Sequence, residues 1–153
     1  VRRGKHHIDV NIERPFAGSI SARLLATAAQ KALEIEGLSA VEMSIVVSDD
    51  ETVQRLNRDY AGQDEVTDVL SFSLREGEAF VSPSDEVLRL GEVIIAYPTA
   101  QRQAAQAGRS SQKEVAHLLI HGILHLLGYD HIEQEDEQRM RAKEEALLAT
   151  LTD

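Results

Sequence analysis

The chain has no cysteine, which excludes disulfides, thiolate nucleophiles and every sulfur-ligated zinc or iron site, so any metal must be held by nitrogen or oxygen. It has no tryptophan, and three tyrosines and three phenylalanines are too few rings for a base-stacking platform of the RRM or OB type. No apolar run approaches the ~18 residues that a membrane span needs. The basic start, VRRGKHH, lacks the apolar core of a signal peptide. The expectation is a soluble, cytoplasmic protein with no membrane partner. Positive charge is also scarce: 16 Lys and Arg stand against 26 Asp and Glu, a net charge of −10, which disfavours broad attraction to a polyanion.

What is present reads as one globular domain over residues 1–153, with 42% hydrophobic and 27% charged residues. His6 to Glu13 alternates like a strand, and the Ala- and Leu-rich stretch Ser21 to Glu36 has helical spacing up to a stop at Gly37. Val41, Met43, Ile45 and Val47 alternate with polar residues, and Asp49 and Asp50 can cap a helix running to about Tyr60. Thr67 to Leu74 and Leu90 to Tyr97 are further strands, separated by a polar segment that reads as a mobile loop. Pro98 opens a short helix ending near Gly108, Ser110 to Leu127 forms the next, and Glu133 to Leu151 the last. This order implies an α+β fold with a small mixed β-sheet covered by helices, its strand order left open.

The histidines carry the chemistry. Ser111, Gln112, Lys113 and Glu114 read as a capping box, and Gly128 as the left-handed stop of the same helix. His117, His121 and His125 recur every fourth residue on one stripe, each ~6 Å above the last. His117 and His125 are ~12 Å apart along the axis, so all three cannot readily share one ion. A chain that reverses after Gly128 can bring His131 beside His125. His121, His125 and His131 then hold one Zn²⁺ per chain, with the fourth position left to water. The spacing H-x-x-x-H-x-x-G-x-x-H is that of the metzincin peptidases, but Gly122 stands where those enzymes carry their glutamate base, which points to hydrolysis of another substrate. The zinc-bound water is the expected reactive group. His117 and Asp130 are the nearest proton-transfer candidates, beside the alternative that His117 packs and Asp130 orients a ligand imidazole. Between 97 and 113 the chain carries Arg102, Arg109 and Lys113 and no acid, a segment that a phosphate backbone could approach. By contrast, 130–153 holds eight acids against three bases.

HGILHLLGYDH, from His121 to His131, resembles the signature of the YbeY family of bacterial rRNA-maturation endoribonucleases. LNRDYAGQDEVTDVLSF, from Leu56 to Phe72, and LGEVIIA, from Leu90 to Ala96, are similar to two further blocks of that family. The resemblance implies an α+β fold, zinc on the three histidines and cleavage of single-stranded RNA. It also implies roles in small-subunit rRNA processing and ribosome quality control, with the small ribosomal subunit and assembly proteins as partners. Family members often carry an arginine after the tyrosine of the second block, where this chain has Ala61 after Tyr60; Arg55 or Arg58 could reach the same groove from the preceding helix. Thr67, Asp68 and Ser71 could line the cleft. A zinc-stabilised ribosome-assembly factor with little or no nuclease activity is the alternative reading.

Overall fold

The computed structural model describes residues 6–73, 88–128 and 134–151. The polar segment between the second pair of strands lies outside them, as do Asp130 and His131. The elements follow the order β1 (His7–Ile12), α1 (Ala22–Ile35), β2 (Val41–Ser48), α2 (Asp50–Ala61), β3 (Val69–Ser73), β4 (Leu88–Ala96), α3 (Tyr97–Ala107), α4 (Ser111–Leu126) and α5 (Gln134–Ala149), with a 3-10 turn at Arg14–Phe16. Expected and observed boundaries agree within one or two residues for most elements. Two differences have a local cause. Tyr97 opens α3 rather than closing β4, because Pro98 fixes a helical φ just behind it. The start of α4 is set by Ser110, whose side chain accepts from the amide of Lys113; Glu114 forms no capping box with Ser111 and instead meets Arg109 at 3.2 Å.

Among the described residues four strands form one mixed sheet in the order β1-β2-β4-β3, with β1, β2 and β4 parallel and β3 antiparallel to β4 at one edge. Side chains alternate across it. Met43, Ile45 and Val47 of β2, with Val93 and Ile95 of β4, enter the main core beneath α1, α4 and α5. Ile94 and Ala96 turn to the other face, where Val53 of α2 packs with Leu56, Leu70 and Phe72. On α1 the buried face is Leu25, Ala28, Ala29, Ala32 and Leu33, small enough for helix and neighbours to approach closely. Asp49 caps α2 by accepting from Thr52, while Asp50 ties it to α3, accepting from Thr99 and from Arg102 at 2.8 Å. Among the described residues no helix is long and apolar enough to cross a membrane.

β4 is irregular at one point. The partner of Glu42 is Arg89 but that of Met43 is Gly91, so Leu90 is an extra residue in the ladder. Gly91 takes φ +146°, and a Cβ there would lie 2.1 Å from the carbonyl oxygen of Phe72. Only glycine satisfies both conditions. Gly91→Ala is therefore expected to cost about 2 kcal/mol or more in urea unfolding, through loss of the β3–β4 pairing; unchanged stability would contradict this account of the bulge.

Candidate functional site

Helix α4 lies between the sheet on one side and α1, α3 and α5 on the others. From Glu114 to Leu126 every residue is buried except His117, His121 and His125. A helix apolar on nearly all faces belongs in a core, and here its one polar stripe is the opening. The His121 and His125 rings stand 6.0 Å apart between centroids, at 51° to one another. His125 lines a cavity of about 490 Å³ with Leu126 of the same helix and Ser71, Phe72 and Ser73 of β3.

The helix sits close to the sheet at Gly122. A Cβ there would lie 2.8 Å from Cγ1 of Val93 and 3.1 Å from Oγ of Ser71, and that hydroxyl donates to the Gly122 carbonyl at 3.2 Å. The position that carries a glutamate base in the metzincins is thus pressed against β3 and β4, without room for a side chain.

A residue that the sequence reading passed over completes the arrangement. Glu144 of α5 is only 6% exposed. Its Oε1 lies 2.9 Å from Nε2 of His117 and its Oε2 lies 2.6 Å from Nδ1 of His121. A signal for it was present: Met140, Glu144, Leu147 and Leu148 fall on one helical stripe, which places a carboxylate among apolar residues that enter the core. Burial would raise the Glu144 carboxyl, but hydrogen bonds from His117 and His121 and the charge of those rings outweigh it and hold the group down at about 2. His121 is raised above 6.5, first by its hydrogen bond to Glu144, against the opposing effect of burial, with the charges of Glu144 and Asp68 adding to it.

The remaining candidates divide. Asp68 is near enough to influence His121 and accepts from Gln103 at 3.2 Å, and Ser71 lines the cleft. His117 has one nitrogen committed to Glu144, and its Nδ1 is buried with no partner among the described residues. Two of the three cations of 97–113 are tied to acids from other parts of the chain or from α4: Arg102 to Asp50 and Arg109 to Glu114. Arg58 pairs with its neighbour Asp59 at 3.2 Å, both half exposed, and Ala61 closes α2 without a charge. Arg55 of the same helix is exposed and Lys113 half-buried. Tyr60 is 73% exposed and meets the Phe72 ring edge-on. Among the described residues no three His, Asp or Glu side chains converge as a metal-holding group. Yet His121 and His125, adjacent on α4 with Nδ1 of His121 anchored by a carboxylate, fit the way metal-ligating imidazoles are oriented.

On this α+β scaffold the one stripe of α4 left open by its neighbours carries histidines and lies beside a sheet-edge cleft. The chain belongs to the endoribonuclease YbeY family, whose model, described as Endoribonuclease YbeY, matches residues 9–152. It is similar to the Endoribonuclease YbeY of Desulforamulus reducens, 47% identical over 130 residues that cover 84% of this chain and 85% of the relative. That of Roseiflexus castenholzii is 42% identical over 146 residues, covering 94% and 92%. The solution structure of TM1509 from Thermotoga maritima superposes with a TM-score of 0.61 at 26% identity, covering 94% of this chain and 87% of that one.

The Glu144–His121 pair makes stability depend on pH. Glu144, depressed when folded, adds stability that is full above 4.5 and lost as pH falls toward 2; His121, raised when folded, adds stability that is full below 6.5 and lost as pH rises through its folded value. In chelator-treated protein, Glu144→Gln should cost about 2–3 kcal/mol between these two ordinary values and less on either side, read from urea unfolding across pH. A difference that does not vary with pH would contradict the pairing.

Proposed function

We propose that the chain is a single-strand-specific, zinc-dependent endoribonuclease that acts in small-subunit rRNA maturation and ribosome quality control, in the cytoplasm, with RNA, the small ribosomal subunit and assembly proteins as partners. The observation that carries this reading is the burial pattern of α4 in a chain of this family: the only residues it leaves open between Glu114 and Leu126 are three imidazoles on one stripe, of which His121 and His125 are the proposed ligand pair. His121 and His125, with His131 from beyond the helix end, would hold the ion. When bound, zinc supplies polarisation of a phosphoryl oxygen and acidifies water toward neutrality.

The chain's own residues supply the rest. Glu144 holds His121 in place from behind, and the burial of α4 keeps the stripe from turning. Ser71 and Ser73 line the cleft wall, with the Ser71 hydroxyl proton given to the Gly122 carbonyl, which fixes β3 against α4. His117, bound to Glu144 and buried at Nδ1, suits a supporting role better than proton transfer. The second reading, an assembly factor with little nuclease activity, is favoured by one observation: α2 ends in Ala61, and the cation of its last turn, Arg58, is paired with Asp59.

Zinc-loaded protein incubated with single-stranded rRNA fragments is expected to cut them, and His121→Ala or chelator treatment to lower the rate at least about 100-fold. A 2′,3′-cyclic phosphate end would identify the RNA 2′-hydroxyl as nucleophile, and a 5′-phosphate end would identify water. Equal trace cleavage in all three samples, with binding to ribosomal particles retained, would replace the enzyme by the assembly factor.

A further inference from the structure

A carboxylate has no proton to give, so each imidazole nitrogen that meets it must bring one. Both oxygens of Glu144 are used in this way, Oε1 by Nε2 of His117 and Oε2 by Nδ1 of His121. The two rings therefore present opposite nitrogens to one group. From these contacts we infer that Glu144 is a positioning residue that sets two tautomers at once, Nε2–H on His117 and Nδ1–H on His121, and so leaves the lone pair of His121 on Nε2.

Three features make this more than a surface contact. Glu144 is buried on the stripe that α5 packs inward with Met140 and Leu147, so its position follows from helix packing rather than from a flexible side chain. His117 Nδ1 is buried without a partner among the described residues, so a proton there would be an unsatisfied buried donor, whereas one on Nε2 meets Glu144. The assigned tautomer of His121 is the one that free histidine favours less in water, so the site must select it. A ligand ring needs its lone pair and its orientation together, and a carboxylate behind the ring provides both. The last helix of the chain thereby takes part in a site that the signature 121–131 does not include.

The relevance to zinc rests on the function proposed above, but the tautomers do not. The full chain, labelled with ¹⁵N, treated with chelator and held near pH ~8.5, about two units above the ordinary imidazole value, gives the proton positions from long-range ¹H–¹⁵N spectra. The expected result is a protonated Nδ1 on His121 and a protonated Nε2 on His117. In Glu144→Gln the carboxamide offers one acceptor and one donor group, so one ring must change tautomer, and zinc affinity, measured by competition with a chromogenic chelator, should fall about 10- to 100-fold. A wild-type His121 protonated on Nε2 would overturn the inference, as would a variant with both tautomers and zinc affinity unchanged. The wild-type spectrum decides the assignment even if the variant does not fold. Zinc binding without RNA cleavage would remove the proposed enzyme and leave this inference standing; the wrong tautomer would do the reverse.

Discussion

The burial of α4 is the constraint on which the site depends. A helix in the middle of a small core has no face to spare for polar groups, since an unpartnered one costs about 1–3 kcal/mol. Three imidazoles are nevertheless placed along it, on the one stripe that its neighbours leave uncovered. The stripe cannot rotate away, because Leu119, Ile120, Ile123 and Leu124 are buried to completion on the flanking faces. Gly122 adds a fixed distance: with no side chain between them, helix backbone and strand side chains touch, and His125 comes to the edge of the β3 cleft.

From this follows the division of labour among the other elements. β3 supplies the cleft wall with Ser71 and Ser73, and is held to β4 by a regular ladder in which Gly91 leaves room for the Phe72 carbonyl. α5 supplies Glu144, the acid whose two oxygens engage successive turns of α4. Charge is arranged locally rather than globally. With a net charge of −10 the protein as a whole repels phosphate, and two of the cations in 97–113 are paired with acids. In the proposed function, attraction of RNA to the cleft would come from the site itself, where a dipositive ion held by the imidazoles would act at short range while distant charges are screened.

Most of the fold was legible in the residues. Alternation in 41–47, the Asp49 cap, Pro98 and the left-handed Gly108 each act locally, and local signals survive in a single sequence. The strand order was not legible, because the insertion of β4 between β2 and β3 is decided by long-range packing. The α4 cap was misplaced by one residue for a related reason: Ser110 and Ser111 are equally good caps in isolation, and the pairing of Glu114 with Arg109 removed the partner that a cap at Ser111 required. Likewise the histidine stripe was visible from its period of four. Glu144 was not, since nothing in 134–149 says which earlier helix its inward stripe meets, although a carboxylate in line with Met140 and Leu147 marks a buried acid that needs a partner.

The account stands or falls with the coordination of a metal by the end of α4. X-ray absorption at the zinc edge, on protein purified without added metal and then loaded with one equivalent, tests it most directly. The account predicts a first shell containing three imidazole nitrogens at about 2.0–2.1 Å and one oxygen. A shell of oxygen alone, or with a single imidazole, would contradict it.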